Sequence, residues 1–387
     1  MLLSLSQCNA HRCGGGLYGG EYFEYIEEEM SKYKKIEFHN REKEEKEIMD
    51  LLAAEPSLIT FVYGPINSGK TALVNHLINQ LPKEYVVFYI NLRGKFISSY
   101  KDFIRALFKL ERGKKEYKEI LKTISEVSLK GLKFTGIPIS ESILDPLFRE
   151  KTFEDVFEFL EDYFMKIAEN KIPVLIVDEL QKIGDVKIDT YLIYELFNLF
   201  IRLTKELHLC HVFGITSDSL FIERVYNEAM LQGRSRHILV DDFDQATAMN
   251  FLDKYRVSKE EKEVAWEYCG GKPVCLVELV NCENREEKVK EMFTFRTGEI
   301  ETVLKRVKEL GSEIRIEGSS YAVRYERLID ALKHFVERDE IDMNEVDEIS
   351  KAFLVKKNVL FVDPLKKTIR PQSKLNLLAI REVVQHK

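Results

Sequence analysis

Residues 58–71 read LITFVYGPINSGKT, an apolar run that leads into a glycine-containing turn, and the fold class is predicted from this stretch and its flanking elements. Its first half, Leu58 to Tyr63, is a β-branched and aromatic run of the kind that forms a buried strand in a parallel sheet. Its second half matches the pattern G-x-x-x-x-G-K-[ST] at every fixed position. Such a turn between strand and helix presents backbone N–H groups and a helix N-terminus to an anion, so the stretch predicts a phosphate-binding loop.

The fixed positions of this loop have separate predicted roles. Lys70 is expected to reach the β- and γ-phosphates of a nucleotide, and the Thr71 hydroxyl is expected to bind Mg²⁺. A chance glycine-rich turn is the alternative, and the flanking strand and helix disfavour it. The predicted nucleotide-binding residues are Gly64, Pro65, Ile66, Asn67, Ser68, Gly69, Lys70 and Thr71.

A second apolar run, VLIVDE, ends in two acids. Asp178 is predicted to hold Mg²⁺ through water, and Glu179 has the position of a base that orients an attacking water molecule. A solvated acidic pair at a strand end is the alternative. Beside a complete phosphate-binding loop, the catalytic interpretation is favoured.

The order of elements predicts the fold class. Strands are predicted at 57–64, 85–92, 172–179, 209–216 and 236–240. Helices are predicted at 41–54 (with Asn40 as N-cap), 70–81, 100–130, 153–169 and 190–207, with a loop or hairpin insert at 131–150. Strands that alternate with helices indicate an α/β protein with a parallel P-loop NTPase sheet covered on both faces.

The alternation ends near residue 241, and the C-terminal third has a different organisation. Residues 244 to about 310 have helical periodicity throughout. The later stretch NVLFVDPLKKTIRPQ predicts two short strands around a turn at Asp363-Pro364, and with the helices before it this indicates a winged helix. The predicted units are a flexible tail (1–35), a P-loop NTPase domain (36–242), a helical lid (243–300) and a winged-helix domain (301–387).

Composition excludes several classes of protein. The chain has 387 residues, 45% hydrophobic and 32% charged, with a net charge of −7, so it is neither disordered nor globally basic. Its six cysteines do not form the disulfide framework of a small secreted domain, and Cys8, His11 and Cys13 lack a second ligand pair for a metal. No apolar run of about 18 residues is present, so we expect no membrane span and a cytoplasmic location.

From about Phe38 to its end, the chain resembles the archaeal-type ATPases of the STAND class of AAA-related P-loop NTPases. The segment FHNRE looks like the family's hydrophobic-hydrophobic-Gly-Arg-Glu motif, which implies that Arg41 lies near the nucleotide. It departs from the motif at His39 and Asn40. The segment GGKP is similar to the family's Gly-x-Pro motif, which implies that Gly271 and Pro273 pack against adenine and ribose from the lid.

The resemblance also implies two catalytic roles. Thr216 or Ser217, after the fourth strand, looks like a sensor that hydrogen-bonds the γ-phosphate or the attacking water; a helix N-cap at Ser217 or Ser219 is the alternative. Arg234, before the fifth strand, looks like an arginine that neutralises transition-state charge, within the chain or from a neighbouring copy. A solvated basic turn is an equally good interpretation of Arg234.

The tail resembles the wing and last helix of this family. From Lys351 onward it carries seven lysines and two arginines against Asp363 and Glu382. A basic wing fits duplex DNA, an acidic face of the same chain, or solvent. The expected partners are therefore ATP or ADP and either a protein or duplex DNA, with self-association left open.

Four functions are compatible with these patterns. The first is Mg²⁺-dependent ATP hydrolysis that acts as a molecular switch, slow without a partner. The alternative is a DNA-binding initiator- or repair-type ATPase. A nucleotide-binding module without catalysis is disfavoured by Glu179, and a small-molecule kinase is disfavoured by the long C-terminal extension. No Asn-Lys-x-Asp guanine motif is present, which favours ATP over GTP.

Overall fold

A computed structural model describes residues 36–110, 119–120, 122, 124, 132–142, 153–184, 186–188, 190–316 and 318–385. The predicted N-terminal tail, with Cys8, His11 and Cys13, lies outside these residues. Within them, no helix combines the length and the apolar character needed to cross a membrane.

The first part of the described chain is built on a six-stranded parallel sheet, which confirms the predicted α/β class. The strands are β1 (Ile59–Tyr63), β2 (Tyr85–Asn91), β4 (Leu132–Thr135), β6 (Ile172–Asp178), β9 (His211–Ile215) and β10 (Ser235–Leu239). They lie side by side in the order β10-β1-β9-β6-β2-β4. Strand β9 therefore lies between the strand before the phosphate-binding loop and the strand that leads to the two acids.

Helices cover both faces of this sheet because its strands are apolar on both faces. On one face, Val62 of β1 packs with helices α1 (Glu42–Ala53) and α2 (Lys70–Gln80). On the other face, Phe61 belongs to the larger core. The helices of that core are α3 (Tyr100–Leu107), α4 (Phe153–Ala168), α5 (Leu192–Ile201, continued by a π-helical turn at Arg202–Glu206) and α6 (Ser219–Asn227).

Local predictions failed where tertiary pairing decided the structure. The helix predicted at 100–130 is interrupted after Leu107, because β3 (Phe108–Leu110) pairs in parallel with β5 (Ile137–Ile139), and the described residues 119, 120, 122 and 124 are again helical. The predicted loop or hairpin insert instead contains β5 and the edge strand β4, which pairs in parallel with β2. A small hairpin, β7 (Lys187–Ile188) with β8 (Thr190–Tyr191), was also not predicted.

The predicted N-cap of α1 was wrong. Arg41, with a φ of 144°, is the residue before the helix, and it makes no side-chain cap. The Asn40 amide instead donates to the Thr247 hydroxyl, 2.8 Å away, in the helical segment that follows the sheet. A long-range partner has replaced the local one.

The helical segment after the sheet consists of α7 (Gln245–Lys254), α8 (Lys259–Cys269), α9 (Pro273–Asn281) and α10 (Arg285–Leu310). Polar side chains satisfy the N–H groups at three of its helix starts, namely Asp244, Ser258 and Asn284. The predicted boundary at residue 300 lies inside α10, so one continuous helix joins this segment to the next. The division into lid and C-terminal domain stays a prediction.

The C-terminal segment has its own core, which α10 shares. The predicted strands around Asp363-Pro364 are confirmed, since β14 pairs with β15 in antiparallel fashion and β13 extends the sheet beside β15. The elements are β11 (Ser312–Ile316), β12 (Ser319–Val323), α11 (Tyr325–Lys333), β13 (Ile341–Asp342), α12 (Glu348–Lys356), β14 (Leu360–Asp363), β15 (Thr368–Pro371) and α13 (Lys374–Gln385).

Candidate functional site

The loop between β1 and α2 turns sharply against the end of β10. Gly64 has a φ of 154°, and a Cβ there would lie 2.1 Å from the Val240 carbonyl oxygen, so only glycine fits. Gly69, with a φ of 97°, is the residue before α2, and Asn67 also has a positive φ. The loop thus leads directly into a helix N-terminus, as a phosphate site requires.

Lys70 is folded against this loop. Its ammonium donates to the carbonyl oxygens of Gly64 (3.0 Å) and Pro65 (2.7 Å) and to the Ser68 hydroxyl (3.4 Å). Burial and the positive charge of Lys272 lower the pKa of Lys70 to about 7. A phosphate oxygen would compete for the same N–H bonds and would restore the charge.

Thr71 and Asp178 meet as predicted from the sequence. The Thr71 hydroxyl donates to Asp178 Oδ2 at 3.1 Å, and the Glu179 N–H donates to Oδ1 at 2.9 Å. The Tyr89 hydroxyl also donates to Oδ2, at 2.5 Å. Burial and Asp178 raise the pKa of Tyr89, so this hydroxyl stays protonated. One hydroxyl and one carboxylate are hard oxygen donors, and this set fits Mg²⁺.

Glu179 is held by two neighbours. Its φ of 61° turns the residue away from β6, and its carboxylate accepts from Arg93 Nε at 3.1 Å and from Gln181 Nε2 at 2.7 Å. The same contact raises the pKa of Arg93. Arg93 belongs to none of the sequence motifs, although strand pairing could have indicated it. It follows β2, whose Asn91 lies opposite Asp178.

The end of β9 lies beside these acids. The Thr216 hydroxyl donates to Gln181 Oε1 at 2.8 Å, which links β9 to the Glu179 carboxylate through one amide. Asp218, rather than Ser217 or Ser219, caps α6 by accepting from two backbone N–H groups. Ser217 is therefore not the cap, and it lines the cleft above the loop.

Arg41 contacts the phosphate-binding loop rather than open space. Its guanidinium donates to the carbonyl oxygens of Ser68 (2.7 Å) and Asp241 (2.6 Å) and stacks 4.6 Å from the centre of the Phe243 ring. It thereby ties the loop to the chain that leaves β10. These contacts order the backbone of the loop, and the predicted position of Arg41 near the nucleotide stays a prediction.

The GGKP turn packs on the same region. The Phe243 N–H donates to the Gly271 oxygen at 2.9 Å, and a Cβ on Gly271 would lie 1.7 Å from the Phe243 oxygen. Lys272, which sequence analysis did not single out, donates to the Ile66 oxygen at 3.1 Å and pairs with Asp242 at 2.8 Å. Pro273 begins α9 and lines the cleft.

The C-terminal hairpin also reaches the loop. Gln372 Oε1 accepts from the Ile66 N–H at 3.1 Å, and the Tyr63 hydroxyl donates to Asp363 at 3.0 Å. Arg370 pairs with Asp241 at 2.5 Å. These contacts join residues that are 129 to 306 positions apart, so no local sequence pattern could have revealed them.

The loop, Glu179, the start of α9 and the C-terminal segment line a cleft of about 950 Å³, within the size range of small-molecule sites. Its walls come from three parts of the chain. Its lining residues are Ile66, Asn67, Gly69, Lys70, Thr71, Ala72, Arg93, Glu179, Gln181, Lys182, Ser217, Asp218, Pro273, Val274, Val277, Val355, Lys356 and Asn358.

Comparison with known proteins identifies the family. Residues 38–279 match the family described as an ATPase domain predominantly from Archaea, and residues 286–384 match the C-terminal domain of MJ1010-like ATP-binding proteins. The chain belongs to this archaeal ATPase family.

Relatives in the family align along almost their whole length. The uncharacterized ATP-binding protein MJ0439 of Methanocaldococcus jannaschii is 44% identical over 363 residues, which cover 90% of this chain and 97% of that protein. The uncharacterized ATP-binding protein PYRAB12000 of Pyrococcus abyssi is 47% identical over 346 residues, with 89% and 96% covered. Among solved structures, the Walker-type ATPase PABY2304 of Pyrococcus abyssi shares the fold, with a TM-score of 0.57 at 19% identity, and the match covers 89% of this chain and 96% of that one.

Arg234, for which a catalytic role was predicted, does not lie at the cleft of its own chain. Arg234 precedes β10 at the amino ends of the strands, where its backbone oxygen accepts from the Ile59 N–H, and its guanidinium donates to the Met230 oxygen at 2.7 Å. The phosphate-binding loop is at the carboxyl ends. The structure therefore separates Arg234 from Lys70, Thr71, Asp178 and Glu179, and only the role in a neighbouring copy stays a prediction.

Proposed function

We propose that this archaeal ATPase-family chain binds ATP with Mg²⁺, hydrolyses it slowly, and uses the nucleotide state to change how its helical and C-terminal segments hold the phosphate-binding loop. The names of the two relatives, both ATP-binding proteins, support ATP as the ligand. We also propose membership of the STAND class, with α7–α10 as a lid. The helix–strand–helix–hairpin order of α11, β13, α12 and β14–β15 supports a winged helix.

One residue carries the coupling part of this proposal. Ile66, inside the phosphate-binding loop, donates its N–H to Gln372 of the C-terminal segment and accepts a hydrogen bond at its oxygen from Lys272 of the helical segment. A shift of the loop around a phosphate changes both contacts. A ligand moves a conformational equilibrium only through contacts that differ between the states, and these two contacts are the ones that we propose to differ.

The side chains have distinct roles in the proposed hydrolysis. Lys70 and the loop N–H groups bind and orient the phosphates, while Thr71 and Asp178 would hold Mg²⁺. The ion would neutralise phosphate charge. Glu179 is the group that would orient the attacking water or accept a proton from it. Gln181 donates a hydrogen bond to the Glu179 carboxylate and is itself held by the Thr216 hydroxyl.

Slow turnover follows from the present contacts of Glu179. Its carboxylate is engaged by Arg93 and Gln181, so it must leave at least one of them to reach a water molecule. Arg234 supplies no charge to the cleft of its own chain. An activator, or a second copy that offers its Arg234, would therefore accelerate the reaction.

The test measures nucleotide binding, hydrolysis and C-terminal protection together. Wild type, Lys70→Ala and the isosteric Glu179→Gln are compared for ATP and ADP binding with and without Mg²⁺, and hydrogen exchange is followed over residues 360–372. We expect Lys70→Ala to lose binding, Glu179→Gln to bind without turnover, and exchange at the hairpin to differ between ATP and ADP. A wild type that binds no nucleotide would falsify the proposal, and identical exchange in both nucleotides would remove the coupling.

A DNA-binding ATPase is the second candidate, and the exposed turn with Lys366 and Lys367 favours it. Other basic groups of the same segment are already paired within the chain, Arg370 with Asp241 and Lys351 with Glu223. Binding to duplex DNA that weakens steeply with salt, and is lost in a Lys366→Ala/Lys367→Ala variant, would promote this candidate. Absence of binding at low salt would exclude it.

A further inference from the structure

Tyr89 is a residue of the candidate site that belongs to no sequence motif. It lies near the end of β2, is 7% exposed, and donates its hydroxyl to Asp178 Oδ2 at 2.5 Å. The same oxygen accepts from Thr71 at 3.1 Å. Two hydroxyls from different elements thus converge on the carboxylate oxygen that faces the proposed metal ligand Thr71.

The carboxylate of Asp178 is fixed from both sides. Its Oδ1 accepts from the Glu179 N–H, while Oδ2 accepts from Tyr89 and Thr71. A buried carboxylate needs such donors, and hydrogen bonds to an ionised group are stronger than neutral ones. Because the Glu179 N–H and Tyr89 approach different oxygens, they define the rotation of the carboxylate about its bond to Cβ.

The edge strand supports Tyr89 in turn. The ammonium of Lys133 on β4 lies 4.7 Å from the centre of the Tyr89 ring and donates to Asn75 of α2 at 2.5 Å. The pairing of β2 with β4 places Val87 opposite Lys133 and Tyr89 opposite Thr135, which sets this contact. A cation over the ring face draws electron density from the phenol and strengthens its O–H as a donor.

We propose that Tyr89 is a positioning residue that holds Asp178 Oδ2 toward Thr71 and so sets the site for the divalent cation, with Lys133 as its support. The inference rests on the proposed binding of ATP with Mg²⁺. Groups that orient a metal ligand commonly change metal affinity by about 10- to 100-fold when they are removed, so Tyr89→Phe has a measurable expected effect.

The experiment compares Tyr89→Phe with Tyr85→Phe. Tyr85 is on the same strand and the same face, and its hydroxyl donates to the Leu52 oxygen at 3.0 Å, away from Asp178. Mn²⁺ serves as the probe: its binding to the protein–ATP complex is measured by electron paramagnetic resonance. Binding of ATP in the presence of EDTA and the thermal midpoint of unfolding are measured in parallel.

We expect the Mn²⁺ dissociation constant to rise about tenfold in Tyr89→Phe, with metal-free ATP binding unchanged, and to stay at the wild-type value in Tyr85→Phe. An unchanged or smaller constant in Tyr89→Phe overturns the positioning role. If Tyr89→Phe does not fold, the Mn²⁺ dissociation constant of Lys133→Ala is measured instead. A rise of about twofold or more in that constant supports the positioning role of Tyr89, and no rise overturns it. A wild type without metal-dependent nucleotide binding would instead refute the proposed function itself.

Discussion

Removing the guanidinium of Arg93 is expected to raise the rate of ATP hydrolysis. Arg93 donates from both Nε and Nη2 to Glu179 Oε1, the carboxylate proposed to act on water. In Arg93→Ala this oxygen has lost its charged partner, while Gln181 still holds Oε2. The carboxylate can then rotate toward the cleft at a smaller free-energy cost.

The size of the effect follows from exposure. The Arg93 side chain is 73% exposed and that of Glu179 is 11% exposed, so solvent screens the pair from one side. Ion pairs with an exposed partner stabilise a structure by at most about 1 kcal/mol, which corresponds to about a fivefold increase in kcat if the pair must break before reaction. Because mobile ions screen the pair, added salt should accelerate wild type more than Arg93→Ala.

Steady-state hydrolysis at low and high salt tests this expectation, with Lys95→Ala as the control. Lys95 lies on the same loop and is exposed, so its removal changes the loop charge equally without touching Glu179. We expect kcat to rise up to about fivefold in Arg93→Ala alone, with little change in KM. A tenfold fall in kcat at constant KM would refute the reasoning, since it would mean that Arg93 assists the reaction rather than restraining the base.

Four further expectations concern protonation and packing. ATP binding should take up a proton and should weaken as pH rises above about 7, because the pKa of Lys70 is lowered to about 7 and the bound phosphate restores its charge. Calorimetry in two buffers of different ionisation enthalpy measures the proton uptake, and zero uptake would contradict the expectation. Without nucleotide, the same shift makes the free energy of unfolding increase from about pH 7 to 10.5. In urea denaturation, Gly271→Ala should lower the free energy of unfolding by more than about 2 kcal/mol, because the added Cβ would clash with the Phe243 oxygen. Gly298→Ala, whose Cβ would have open space around it, should not lower the free energy of unfolding. Equal midpoints for the two variants would contradict this. Tyr63→Phe should cost about 1.5–3 kcal/mol and speed hydrogen exchange in the C-terminal hairpin, and unchanged exchange would show that the bond to Asp363 does not secure it.

The phosphate-binding loop and the acid strand could be predicted because their signals are local. Gly64 and Gly69 stand where the backbone must take a positive φ, and the apolar run before Asp178 is a strand by composition alone. The metal-binding roles predicted for Thr71 and Asp178 stay predictions, and the structure places the two side chains 3.1 Å apart. Local chemistry and the final fold agree at these positions.

What the sequence did not reveal depends on contacts between distant segments. Strand β4 is four residues long, and its identity comes from pairing with β2 rather than from its own propensity. Gln372 and Lys272 are ordinary polar residues until the fold brings both to Ile66. Arg234 precedes the fifth predicted strand, where the family resemblance implied a catalytic arginine. In the parallel sheet that position lies at the amino ends of the strands, whereas Lys70 lies at their carboxyl ends.

The contacts of the site are the basis for proposing that nucleotide binding changes the conformation of the chain rather than filling a preformed site. Lys70 donates hydrogen bonds to loop oxygens, Thr71 donates to Asp178, and Glu179 accepts from Arg93. A nucleotide must exchange these partners for its phosphates, so part of its binding free energy goes into rearranging the loop. Because Ile66 belongs to that loop and is held by both outer segments, we expect the rearrangement to reach the helical and C-terminal parts of the chain. ATP and ADP differ by one phosphate, and they change these contacts to different extents only if the γ-phosphate engages Lys70 or the Glu179 network.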